Sequence, residues 1–93
     1  MGKLSGRVAI ISGATSGIGR AAALLFAEEG AELVITGRRA DRGRTVEAEC
    51  REWGARCIFV EADHTRVEDC RAVVDAALRE FGRVDILFNN AGI

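Results

Sequence analysis

Short uninterrupted apolar runs alternate with stretches of helical spacing along this chain. Val8-Ala9-Ile10-Ile11, Leu33-Val34-Ile35 and Cys57-Ile58-Phe59-Val60 are each bounded by polar or glycine residues. They predict strands over 7–12, 32–36 and 56–60, apolar on both faces as strands covered on both sides must be. Val84 and Ile86-Leu87-Phe88 predict a fourth strand over 84–88. Between the strands, Ile18, Ala22, Leu25 and Phe26 fall on one face of a helix predicted over 17–29. Val46, Cys50 and Trp53 form the stripe of a second helix over 41–53, with Asp41 as its expected N-cap and Gly54 as its end. Gly43 is expected to weaken that helix's first turn. Val67, Cys70, Val74, Ala77, Leu78 and Phe81 form a third stripe that stops at Gly82, and Thr65-Arg66-Val67-Glu68 has the spacing of a capping box. The chain contains no proline to break these elements.

The order β-α-β-α-β-α-β with short loops predicts an α/β fold, a Rossmann-type doubly wound parallel sheet of strand order 3-2-1-4. Two helices should cover one face and the third the other. Residues 1–93 make one half-domain ending after the fourth strand. Ligands of such sheets bind outside the carboxyl ends of the strands, beside the point where strand order reverses. The segment after strand 1, Arg38 after strand 2, Asp63 after strand 3 and Asn90 after strand 4 should therefore gather along one edge.

Composition narrows the field. With 48% hydrophobic and 29% charged residues the chain is globular, and its formal net charge of −1 offers no general attraction to nucleic acid or an acidic membrane. No apolar run is long enough to span a bilayer, and the start Met1-Gly2-Lys3-Leu4 is too polar for a signal peptide. A cytoplasmic location is the expectation. Cys50, Cys57 and Cys70 match no metal spacing and are expected to be buried reduced thiols. No metal site is expected, and none at the lone His64.

The chemistry concentrates in Ser12-Gly13-Ala14-Thr15-Ser16-Gly17-Ile18-Gly19, between a strand and a helix. The first-turn N–H groups of a helix lack intrahelical partners, and the helix dipole adds positive potential there. Glycines let the backbone turn sharply and approach a pyrophosphate closely. The loop reads as an anion site, or more simply as a glycine-rich turn. After strand 2, where an acid would bind a ribose 2′-OH, stand Gly37, Arg38 and Arg39. Guanidinium suits a 2′-phosphate, so NADP is favoured over NAD, the plainer alternative being that Arg38 and Arg39 form a solvated turn. Asp41 lies too late for a ribose ligand. Asp63 can accept an adenine amine hydrogen bond or cap the next helix. His64 is expected to contribute its backbone N–H. Asn89 and Asn90 can tie neighbouring loops together and contact a ribose or adenine edge, or simply mark a turn.

Taken together these residues resemble the N-terminal part of the short-chain dehydrogenase/reductase family over essentially the whole chain. Residues 12–19 are similar to its Thr-Gly-x-x-x-Gly-x-Gly loop, with Ser12 for threonine. Asp63 matches its adenine-contacting acid, and Asn89-Asn90-Ala91-Gly92, preceded by Val84-Asp85-Ile86-Leu87, its Asn-Asn-Ala-Gly signature. The resemblance implies that Gly13, Thr15, Ser16, Gly17 and Ile18, with Gly19 completing the loop, hold the pyrophosphate and adjoining ribose. Arg38 goes to the adenosine ribose or its 2′-phosphate, Asp63 and His64 to adenine, and Asn90, Ala91 and Gly92 to the ribose region. Ser16 stands where many NADP-preferring members carry a basic residue. The family's catalytic serine and Tyr-x-x-x-Lys pair lie further along than residue 93, and this chain has no tyrosine. No catalytic residue is assigned.

The expected function is nicotinamide-dependent hydride transfer with a small carbonyl or alcohol substrate in a longer parent enzyme. Here only its cofactor-binding part is present, without turnover of its own. The alternatives are a non-catalytic dinucleotide-binding module and a cofactor-sensing regulator. Strand 4, where a fifth parallel strand would normally pair, is expected to be an apolar edge prone to self-association, so a homo-oligomer is a further expectation.

Overall fold

A computed structural model describes residues 2–15 and 17–90. The elements are β1 (Val8–Ser12), α1 (Gly17–Glu28), β2 (Glu32–Gly37), α2 (Ala40–Glu52), β3 (Cys57–Glu61), α3 (Val67–Phe81) and β4 (Ile86–Asn89). The strands form one parallel sheet in the expected order β3-β2-β1-β4. Every residue of β1 is buried, as a central strand covered on both faces requires. Ile11, Leu33, Ile35 and Ala9 point to the layer that contains α1 and α2, while Ile10 and Val34 point to α3. Full burial of each large aliphatic side chain contributes about 1.5–3 kcal/mol.

Asp85 closes the start of the β1–β4 pair. Its carboxylate accepts the Val8 N–H at 2.8 Å, and its own N–H donates to the Val8 carbonyl at 2.8 Å. Arg83 pairs with the same carboxylate at 2.7 Å. Among the described residues no helix is long and apolar enough to cross a membrane.

Several expected packing faces are rotated from their apolar stripes. In α1 the buried residues are Gly19, Ala22, Ala23 and Ala27, whereas Ile18 and Leu25 are exposed. Small side chains let this helix lie close to the sheet, and Phe26 meets Phe88 of β4 edge-on. In α3, Val73, Ala76 and Ala77 are buried while Val67, Cys70, Val74 and Leu78 are exposed. Trp53 is likewise exposed at the end of α2, while Val46 and Cys50 of its stripe are buried. Cys50 and Cys57 are the buried free thiols expected; Cys70 is not.

The caps also differ. Arg39, not Asp41, is the N-cap of α2, and Asp41 sits in the first turn. Arg66 is the N-cap of α3 without a side-chain bond, because the Thr65 hydroxyl donates to Asp63 instead. Gly43 is a packing requirement of α2: a Cβ there would overlap the Phe59 ring.

Candidate functional site

Four loops meet at the carboxyl edge of the sheet. The loop after β1 turns through Gly13, at φ 68°, and enters α1 through Gly17, at φ 58°. Both angles lie in the left-handed region that favours glycine. Gly19 packs the first turn of α1 against this loop, where a Cβ would overlap the Gly13 carbonyl. Ala14 N–H donates to the Thr36 carbonyl at 3.1 Å, pinning the loop to β2. The result is an α1 N-terminus aimed at the edge, and the first-turn N–H groups of a helix are of the kind that bind anions.

The end of β4 is tied to the same loop. The Ser12 hydroxyl donates to the Asn89 amide oxygen at 2.8 Å and accepts the Asn90 N–H at 3.1 Å. The Asn90 amide donates to the Gly13 carbonyl at 3.3 Å. The expected bridging role of the asparagines is thus present, and its central partner is the hydroxyl at position 12.

The loops after β2 and β3 form the other side. Ala62 N–H donates to the Gly37 carbonyl at 2.9 Å. Gly37 allows Thr15 to approach: a Cβ there would sit 2.6 Å from Thr15 Cγ2. A cleft of about 360 Å³ is lined by Gly13, Thr15, Gly37, Arg38, Arg39, Asp63, His64 and Thr65. Asp63 is held firmly. Its carboxylate accepts the Thr65 hydroxyl at 2.7 Å and the Thr65 N–H at 2.9 Å, and its N–H donates to Asp69 at 2.8 Å. The Thr65 hydrogen bonds, with Arg38 and Arg66 adding positive potential, keep the Asp63 carboxyl below its usual range. Asp63 therefore presents an ionised acceptor to the cleft.

Arg39 pairs with Asp41 at 3.6 Å, and the Arg42 N–H also binds Asp41 and lowers its pKa. Asp41 is thereby occupied at the start of α2. His64 borders this cleft and an adjoining apolar one, and its Nε2 is buried with no hydrogen-bond partner among the described residues. Thr36 lines the second cleft, and its Oγ1 is likewise buried with no hydrogen-bond partner among the described residues.

The sequence-predicted residues Gly13, Thr15, Arg38, Asp63 and His64 thus line one cleft, with Asn90 bonded to its floor and Gly17, Ile18 and Gly19 at the adjoining helix start. Ser16, Ala91 and Gly92 lie outside the described residues. Thr65 and Asp69, which position Asp63, and Gly37, which admits Thr15, were not singled out from the sequence. The glycine at the end of an apolar strand was the one available sign of close approach. The donor set fits a dinucleotide: helix N–H groups and glycine backbone for phosphates, a guanidinium, and a fixed carboxylate.

The sequence profile described as short chain dehydrogenase matches residues 7–93. The A-factor type gamma-butyrolactone 1'-reductase (1S-forming) of Streptomyces virginiae is 48% identical over 88 residues, covering 95% of this chain and 34% of that protein. The 11-beta-hydroxysteroid dehydrogenase A of Sesamum indicum is 44% identical over 91 residues, 97% of this chain and 26% of that protein. A crystal structure of a short chain dehydrogenase/reductase from Burkholderia phymatum in complex with NAD superposes with a TM-score of 0.93 at 40% identity, covering 100% of this chain and 33% of that one. The chain therefore spans about a third of the length of the first of these relatives. On the match across nearly all of its residues, the chain belongs to the short-chain dehydrogenase family.

Proposed function

We propose that this chain is the cofactor-binding N-terminal part of a nicotinamide-dependent oxidoreductase acting on a small carbonyl or alcohol. The observation that carries the reading is convergence: Gly13, Thr15, Arg38, Asp63 and His64 line one cleft although they come from three separate loops. Gly13, Thr15, Ser16, Gly17 and Ile18 would hold the pyrophosphate and adjoining ribose, with Gly19 keeping the loop against the helix. Asp63 and His64 would bind adenine, and Asn90, Ala91 and Gly92 the ribose region. When bound, the nicotinamide supplies or accepts hydride. This chain's residues bind and orient the adenosine half and supply no acid or base to the reaction.

NADP is the favoured cofactor. Arg38 lines the cleft with Asp63, and no acid but an arginine pair, Arg38-Arg39, follows Gly37 at the end of β2. Calorimetric titration with NADP⁺ and NAD⁺ tests the assignment. Arg38→Ala should weaken NADP⁺ binding about ten- to a hundred-fold, as loss of a charged hydrogen bond does, and change NAD⁺ binding little. Equal loss for both, or no loss, overturns the 2′-phosphate role. Failure of the wild type to bind either dinucleotide overturns the site. The 93-residue chain, having no tyrosine, should not consume NADPH in the presence of carbonyl substrates.

A further inference from the structure

Two clefts meet at Arg38. One runs to the glycine loop, past Gly13 and Thr15. The other, of about 300 Å³, is lined by Arg38, Glu61, Ala62, Asp63 and Asp69. The arginine proposed to bind a phosphate thus shares a cleft with three carboxylates. Two of them are engaged by the loop between β3 and α3. Asp63 accepts the Thr65 hydroxyl and N–H, and Asp69 accepts the Asp63 N–H at 2.8 Å. Glu61 stands apart from that network, exposed at the end of β3.

The register of the sheet gives Glu61 its place. Gly37, the last residue of β2, is paired with Glu61, the last of β3. Neighbouring strands lie about 4.8 Å apart, and paired residues share a face of the sheet. Ile35 and Phe59, two residues earlier in each strand, are likewise paired and belong to one core cluster. α2 holds β3 in position: buried Glu47 accepts the Phe59 N–H at 2.7 Å, and Arg51 Nε donates to the Cys57 carbonyl at 3.1 Å. Position 37 itself has no room for an acid, because even a Cβ would sit 2.6 Å from Thr15 Cγ2. An acid that could read a ribose hydroxyl is therefore excluded from the end of β2, and the neighbouring strand supplies one at the same level.

We propose that Glu61 is a specificity-determining residue, opposing Arg38 in reading the 2′ position of the cofactor's adenosine ribose. The proposal rests on the dinucleotide reading given above. Arg38 attracts a 2′-phosphate, whereas the Glu61 carboxylate repels it and accepts a hydrogen bond from a free 2′-OH. Two opposite charges on one cleft make the preference for NADP moderate, and NAD remains a ligand. Glu61 thus takes the part that an acid at position 37 would have, from one strand further out.

Calorimetric titration with NADP⁺ and NAD⁺ tests this on Glu61→Gln, which keeps the shape and removes the charge at an exposed position. NADP⁺ should bind about three- to ten-fold more tightly than to the wild type, as loss of a partly screened repulsion allows, and NAD⁺ about three-fold more weakly. Adenosine 2′,5′-bisphosphate and ADP, which carry only the adenosine half, should follow NADP⁺ and NAD⁺ respectively. The gap between wild type and variant for NADP⁺ should narrow with added potassium chloride. Glu28→Gln makes the same change of net charge on an exposed residue at the opposite end of the sheet and should leave the cofactor ratio unchanged. A ratio indifferent to Glu61→Gln, a parallel change for both cofactors, weaker NADP⁺ binding, or an equal effect of Glu28→Gln overturns the role of Glu61 while leaving the dinucleotide site standing. Failure of the wild type to bind any of the four ligands overturns both.

Discussion

Gly19 shows how much of the candidate site depends on one missing atom. The first turn of α1 passes so close to the Gly13 carbonyl that a Cβ would overlap it. Gly19→Ala is therefore expected to push loop and helix apart, costing about 1–3 kcal/mol as over-packing does. It should also lower dinucleotide affinity, because the N–H groups proposed to bind the pyrophosphate move. Urea midpoints and calorimetric titration measure the two effects; an unchanged affinity would separate the glycine from the site. The glycines, Arg38 and Asp63 were legible in the sequence because each supplies its property locally: a conformation, a charge, a carboxylate. The partners that fix them were not. Ser12 reaches Asn89 and Asn90 across 77 and 78 residues of chain. Asp69 accepts the Asp63 N–H from the first turn of α3, six residues on, a contact set by how the loop enters the helix.

At the level of elements, the type and order of all seven were legible, since strands covered on both faces and helices with one apolar flank leave different periodicities. The orientation of the helices was not. A stripe such as Val67, Cys70, Val74 and Leu78 marks an apolar flank without saying whether the sheet lies beneath it. In α1 and α3 small residues dominate the buried face, whereas Ile18, Leu25, Val74 and Leu78 are exposed. Gly43 makes the same point in reverse. Helix propensity alone makes alanine the better residue there, yet the close passage of α2 over Phe59 excludes a Cβ. Gly43→Ala should cost about 1–3 kcal/mol in urea unfolding, by the same over-packing as at Gly19. Because Phe59 lies on the α2 face and away from the cleft, dinucleotide affinity should be retained; its loss would mean that α2 positions Arg38.

For the molecule as a whole, the acid limb of stability reports on the closure of the β1–β4 pair. Hydrogen bonds from Arg83 and from the Val8 amide keep the Asp85 carboxyl below its usual range. Above about pH 4, the ordinary aspartate value, Asp85 is ionised in both folded and unfolded chains and its contribution is complete. As pH falls through that value toward the lower folded pKa, the unfolded chain takes up the proton first and the contribution is lost. Asp85→Asn should therefore lower the urea midpoint at neutral pH and make progressively less difference on acidification; a difference independent of pH would rule out this ionic contribution. The sequence by itself determined the alternation, the strand order and the set of loops that share the carboxyl edge. Hydrophobic periodicity and right-handed crossovers leave few other solutions. Only the tertiary structure decided which helix flank meets the sheet, which polar groups hold Asn90 in place, and how α2 covers the β3 edge. Those outcomes depend on contacts between residues far apart in the chain, whose geometry no local pattern encodes.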